Sequence, residues 1–127
     1  MADARPGTVE TEQLGPSVRL VDLVGEHDLS TVPLVEAAFD QVGVTGATVV
    51  DFTRSSFVDS TIVGVFVRRS RGGATLLLVV PRECAVRRVL SRVGLTDLLE
   101  TFETRAEALQ AIPRDDVPPA ENVAGSV

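Results

Sequence analysis

The apolar residues of the chain follow two alternating periods. Runs that are β-branched or almost continuously apolar predict strands at 8–13, 17–24, 47–52, 74–80 and 98–102. Apolar residues that recur every three or four positions predict helices at 32–42 and 86–93. An apolar segment with an arginine-rich end predicts a helix at 61–70, and a capping box predicts another at 104–112. Short buried strands joined by helices indicate an α/β fold with a mostly parallel central sheet, to which the first strand adds an antiparallel edge.

Local signals place the ends of these elements. Three arginines suit the C-terminus of the second helix, Gly94 ends the third, and Thr104 with Glu107 matches a capping box that opens the fourth. Both ends of the chain lack large apolar groups. We therefore expect a flexible N-terminus at 1–7, one domain at 8–112 and a disordered C-terminal tail at 113–127.

Composition restricts the classes of function. The 127 residues carry a net charge of −6 and contain no tryptophan or tyrosine, which argues against nucleic-acid and anionic-membrane binding. The lone cysteine, Cys84, excludes an internal disulfide, and we expect it to be packed rather than reactive. There is no apolar signal segment or membrane-length run, so we expect a cytoplasmic protein without membrane insertion, metal or cofactor.

Two predicted loops follow the carboxyl ends of neighbouring strands, where parallel sheets usually carry their functional groups. These loops are Gly25–Thr31 and Thr53–Ser60. Asp59 and Ser60 precede the second helix, whose N-terminus favours an anion such as a phosphate. The same residues are also ordinary N-caps, and spacing alone leaves both interpretations open. His27 is interpreted as a surface residue of the first loop.

The order of short motifs resembles the STAS domain family, and in particular the small bacterial anti-sigma factor antagonists. Their Gly-Glu-x-Asp motif is similar to 25–28, and their Asp-Ser-Ser/Thr-Gly-Leu-Gly motif is similar to 59–64. Val49–Phe52 resembles the buried strand of the family, and Val93–Leu95 resembles the turn before its last strand. The resemblance extends from about Val18 to Ile112 and implies a single STAS-like domain.

The resemblance implies a switch and not an enzyme, so no catalytic residue is expected. By position, Ser60 is the phosphoacceptor of an anti-sigma factor that is also a serine kinase, and a cognate phosphatase reverses the modification. The unphosphorylated form captures the anti-sigma factor and frees a sigma factor. The implied partner-binding residues are Asp28, Asp59, Ser60, Thr61 and Ile62.

One departure from the family motif keeps a second interpretation open. Ile62 stands where the family has glycine, and it enlarges the apolar contact with a partner, obstructs a kinase, or marks a member that has a different partner or is rarely phosphorylated. The alternative function is therefore an unphosphorylated STAS adaptor in a lipid transporter or a sensory scaffold. A hydrolase built on His27, Asp28 and Ser60 is disfavoured, because neighbouring side chains of an extended segment diverge and no nucleophile elbow is present.

Overall fold

The computed structural model describes residues 6–40 and 46–112. The strands are β1 (Thr8–Gly15), β2 (Val18–His27), β3 (Ala47–Asp51), β4 (Ser55–Val58), β5 (Thr75–Val79) and β6 (Glu100–Phe102). The helices are α1 (Val32–Asp40), α2 (Ser60–Arg71), α3 (Arg87–Arg92), α4 (Leu95–Leu98) and α5 (Arg105–Gln110), and a 3-10 turn at Leu29–Thr31 leads into α1.

One sheet joins all six strands in the order β1-β2-β3-β5-β6, and β4 pairs with the far end of β2. β1 runs antiparallel to β2, and the other pairings are parallel. This arrangement confirms the predicted α/β class with its mostly parallel sheet and antiparallel edge. The described residues form five α-helices, where the sequence predicted about four.

Alternation along the strands divides the core between the two faces of the sheet. The larger apolar cluster lies under α1, α2 and α3, and Phe66 of α2 is at its centre, in edge-on contact with Phe39 and Phe52. The smaller cluster lies under α5, which contributes Ala108, and is closed by Ile112. The first face therefore fixes α1 and α2 side by side, with both helices beginning at the carboxyl end of the sheet.

Three elements were not predicted: β4, the 3-10 turn and α4. The segment 53–60, expected to be a loop, contains β4, and β2 continues through His27 where a loop was expected from Gly25. The helix ends agree better with prediction, since Gly94 adopts a φ of 83° and Thr104 accepts the Glu107 N–H. The predicted tail at 113–127, the residues before Pro6 and helix position Val42 lie outside the described residues.

Candidate functional site

The two motif segments meet because β4 pairs in parallel with the end of β2. Glu26 is opposite Phe57 and His27 is opposite Val58. Just past this pairing, the Asp59 N–H donates to the His27 carbonyl oxygen at 3.2 Å. Asp28 and Ser60 each follow one residue after this hydrogen bond, so both lie at the same edge of the sheet. We call this edge, with Asp28, Asp59 and Ser60, the Ser60 site.

Asp59 is the N-cap of α2. Its carboxylate accepts the N–H of Thr61 at 3.0 Å and that of Ile62 at 3.4 Å, and it also accepts the Thr61 hydroxyl. The negative charge favoured at this helix N-terminus is therefore supplied by the protein itself. Ser60 is the first residue of the helix and is exposed. This arrangement decides the question that spacing left open: Asp59 is the cap, and Ser60 faces solvent beside it.

Asp28 caps the short turn on the other segment. One carboxylate oxygen accepts the Ser30 N–H at 2.9 Å and the Ser30 hydroxyl at 2.6 Å. These hydrogen bonds, led by the one from the hydroxyl, lower the pKa of Asp28 below its usual value. The carboxylate therefore stays ionised through the neutral range, and none of the ion pairs among the described residues involves Asp28 or Asp59. The site thus presents two carboxylates that no cationic side chain of the described residues neutralises.

Ile62 does not face the surface. Its side chain is fully buried in the larger apolar cluster beside Val65 and Phe66. The expectation that Ile62 enlarges a partner contact or stands in the way of a kinase is inconsistent with this position, since a buried side chain touches neither. Thr61 is half-buried, and its hydroxyl is bound to Asp59. Ile62 is thus the one implied partner-binding residue without accessible surface, since Ser60 is exposed and the other three are half-buried: Asp28, Asp59 and Thr61.

The interpretation of His27 as a surface residue is wrong. The imidazole has no exposed surface, and its nitrogens bind the Thr31 hydroxyl oxygen (Nδ1, 3.0 Å) and the Val24 carbonyl oxygen (Nε2, 3.2 Å). Both nitrogens are thus engaged inside the protein and neither reaches Ser60. A Ser-His-Asp arrangement is therefore not formed by these residues.

Two exposed apolar side chains flank the site, and neither was among the predicted partner-binding residues. Leu29 follows Asp28 and is 69% exposed, and Phe57 of β4 is 46% exposed. Both belong to the paired segments that carry Asp28 and Ser60. The sequence signal was available, because each is a large apolar residue inside a polar motif, but their exposure depends on which face each segment turns inward.

Comparison with protein-family models gives a match to the STAS domain over residues 9–108. The chain belongs to the STAS domain family. A comparison with curated protein sequences finds no significant match. The family assignment covers every strand described above except the first residue of β1, and it includes both segments of the Ser60 site.

Among solved structures, this STAS domain is similar to an anti-sigma factor antagonist from Mycobacterium paratuberculosis, with 24% identity, a TM-score of 0.68, and coverage of 84% of this chain and 94% of that one. It is also similar to the anti-sigma factor antagonist SpoIIAA in its unphosphorylated form, with 25% identity, a TM-score of 0.64 and coverage of 84% and 100%. A structure of the Bacillus cell fate determinant SpoIIAA in the phosphorylated form gives 24% identity, a TM-score of 0.60 and the same coverage.

A second polar cluster of this STAS domain lies on the sheet face under α5. Asp22 and Asp51 are neighbours on β2 and β3, and both are buried. Arg105 binds both carboxylates, and Arg54 binds Asp22 at 2.7 Å and Glu10 at 2.9 Å. We call these five residues the arginine cluster. No sequence motif marks this cluster, because most of its members are far apart along the chain.

Within residues 6–40 and 46–112, no helix is long and apolar enough to cross a bilayer. The same residues contain no group of three or more histidine, cysteine, aspartate or glutamate side chains placed to hold a metal ion.

Proposed function

We propose that this STAS domain is an anti-sigma factor antagonist that is switched at Ser60. In its unphosphorylated form it binds an anti-sigma factor of the serine-kinase type and frees a sigma factor, and phosphorylation of Ser60 ends that binding. A cognate phosphatase restores the active form. The observation that carries the proposal is the exposure of Ser60 at the first position of α2, one residue from the hydrogen bond that joins the two motif segments.

The charge distribution supports a switch rather than a passive surface. A phosphoserine adds about −1.5 to −2 charges at neutral pH. At Ser60 that charge would lie next to the Asp59 carboxylate, which already caps the helix, and near Asp28. A partner surface fitted to a neutral hydroxyl would then have to desolvate a dianion between two carboxylates, which is costly.

The apolar flanks supply the attraction that the switch has to overcome. Leu29 and Phe57 expose apolar surface on either segment of the site, and burial of such a side chain is worth roughly 1.5–3 kcal/mol. In this proposal they are contact residues beside Ser60, while Asp28 and Asp59 set the charge that the partner meets. No reaction is catalysed by the domain itself, and the phosphoryl transfer belongs to the partner.

The solved structures of SpoIIAA support the same proposal. That anti-sigma factor antagonist has been obtained in an unphosphorylated and in a phosphorylated form, and this chain aligns with the full length of both. The adaptor alternative drew on Ile62 as a departure from the family motif. Because Ile62 is buried, it offers no contact to an adaptor's partner, and the adaptor becomes an outcome of the experiment below.

The test is capture of partners from a lysate of the native host on immobilised Ser60→Ala and Ser60→Asp variants, followed by mass spectrometry and by phosphorylation of the wild-type chain with ATP and the captured protein. We expect a kinase-type anti-sigma factor on the alanine variant and its loss from the aspartate variant. Phosphate incorporation should be confined to Ser60.

The matched control is Thr11→Asp, which adds a carboxylate at an exposed position of β1, away from the Ser60 site. This variant should capture the anti-sigma factor as well as the wild-type chain does. Equal capture of one partner by both Ser60 variants would contradict the switch and would favour the adaptor.

A further inference from the structure

His27 is a buried ionisable group at the point where the two segments of the Ser60 site are joined. Its ring binds Thr31 in the turn that Asp28 caps, and its carbonyl oxygen accepts the Asp59 N–H. The switch proposed above does not use the ring. A residue that touches both segments and is inaccessible to solvent controls their relative position through its own packing and hydrogen bonds.

The N-terminal segment closes over the same ring. A Cβ at Gly7 would lie 2.9 Å from Nδ1 and from Cε1 of His27, and 2.1 Å from the Glu26 carbonyl oxygen, so only glycine fits there. Pro6 forms a bridge with Glu26 beside it. The imidazole is thus enclosed by β2, the turn and the segment before β1. Water reaches it only if one of these moves.

A neutral ring satisfies both of its hydrogen bonds. The Val24 carbonyl can only accept, so Nε2 carries the hydrogen, and Nδ1 then offers its lone pair to the Thr31 hydroxyl. The Thr31 hydroxyl has a second acceptor, because it can also donate to the Asp28 carbonyl oxygen at 3.1 Å. Adding a proton to Nδ1 would turn that hydroxyl to Asp28 and place a full charge in an enclosed site.

Little surrounds the ring to stabilise that charge. Its neighbours along the chain are Glu26, which is half-buried, and Asp28, which is committed to Ser30. No charged side chain is carried by the other segments around His27, which are Pro6–Thr8, Leu29–Thr31 and the paired Val58. Asp59 contacts His27 through a backbone hydrogen bond. Burial accordingly lowers the pKa of His27 from its ordinary value of 6.5. Hydrogen bonding to the Val24 and Thr8 backbone and the weaker attraction of Asp28 offset this only in part.

We propose that the neutral imidazole of His27 is the positioning group of the Ser60 site, and that its protonation opens the turn at Leu29–Thr31 and loosens Asp59 and Ser60. The consequence for partner capture depends on the function proposed above: mild acid would weaken capture without phosphorylation. This pH response depends on His27 itself, and the family motif leaves position 27 variable.

The sign follows from proton linkage. The folded pKa is lowered, so the opened turn binds more protons than the closed one, and opening becomes easier as the pH falls below about 6.5. In the opened turn the imidazole titrates freely, with a pKa near 6.5. Proton uptake by such a group can change the opening equilibrium by at most about tenfold between pH 7.5 and 5.5.

The experiment is amide hydrogen exchange and ring titration by NMR on the full chain alone at pH 7.5 and 5.5, for the wild type and for His27→Gln. Glutamine can replace the two hydrogen bonds but does not titrate in this range. For the wild type we expect the ring to titrate below 6.5 and the protection factors of Thr31, Asp59 and Ser60 to fall by up to about tenfold. For His27→Gln they should stay constant.

A ring that titrates at its ordinary value, or an equal fall in protection in both proteins, would overturn the proposal. Should His27→Gln fail to fold, the wild-type titration still decides it, because the Asp59 and Ser60 amide shifts must follow the ring with the same midpoint. These measurements need no partner. If the pH dependence of hydrogen exchange is absent, the capture result for Ser60 still stands. If no anti-sigma factor is captured, the pH response of the site still stands.

Discussion

At the Ser60 site, Asp28 and Asp59 bind backbone N–H groups and hydroxyls, whereas in the arginine cluster Asp22 and Asp51 are bound by guanidinium groups. Both sets lie on the same sheet, near the carboxyl ends of its parallel strands. In the first set the charge remains accessible and unneutralised. In the second it is buried and neutralised within the fold.

The difference shows that position at the strand ends does not by itself make a carboxylate functional. Asp22 and Asp51 face inward under α5, where two adjacent buried carboxylates require Arg105 between them. Asp28 and Asp59 lie beyond the ends of their strands and cap the turn and α2. A carboxylate that caps a helix keeps its outer oxygen for solvent or a partner, whereas one inside a salt-bridge cluster holds other elements in place.

The largest effect is expected from breaking the arginine cluster. Arg105→Leu leaves Asp51 without its arginine and Asp22 with Arg54 alone, so two buried carboxylates repel each other. We expect a loss of about 3 kcal/mol in the free energy of unfolding, at the lower end for a broken buried pair because the Arg105 side chain is 45% exposed. Urea unfolding at neutral pH measures it.

The matched control for that loss is Arg82→Leu. Arg82 is paired with Glu103, but its side chain is 83% exposed, so the change should stay within about 0.5 kcal/mol. Equal losses in the two variants would show that Arg105 acts as one more surface arginine.

A smaller effect is expected at the N-cap of α2. Asp59→Ala removes the acceptor for two backbone N–H groups, which should cost about 1 kcal/mol of unfolding free energy, while Asp59→Asn should cost only a few tenths. Thermal and urea unfolding of both variants check this. Asp97→Ala, which removes an exposed carboxylate from the first turn of α4 without removing a cap, is the control. A loss as large in Asp97→Ala would argue against a specific cap at Asp59.

The smallest effect on stability, with a large one on binding, is expected at the apolar flank. Leu29→Ser should change the free energy of unfolding by less than about 0.5 kcal/mol, because the side chain is 69% exposed. Affinity for the captured anti-sigma factor, measured by titration calorimetry, should fall by about tenfold if Leu29 is buried on binding. Leu98→Ser, at a leucine 57% exposed on α4, should leave the affinity unchanged. Equal affinities for wild type and Leu29→Ser would remove Leu29 from the interface.

Much of the fold could be predicted because its signals are local. Continuous apolar runs identified β3 and β5, and apolar residues at three-to-four-residue spacing identified α1 and α3. β4 was missed because its four residues have buried ends and an exposed middle, which gives no alternation. It is a strand only because the end of β2 is available to pair with it, and the same pairing carries β2 through His27 and buries that residue.

Local sequence patterns were enough to predict the alternation of strands and helices, the α/β class, the order of the STAS motifs and the position of Ser60 at a helix start. Each of these depends on residues that are close together along the chain. The tertiary structure alone decided that Ile62 and His27 are buried and that Arg105 meets Asp22 and Asp51. Arg105 lies 83 residues from Asp22 and 54 from Asp51. Contacts at such separations leave no periodic trace, because they depend on which strands become neighbours and which face each side chain takes.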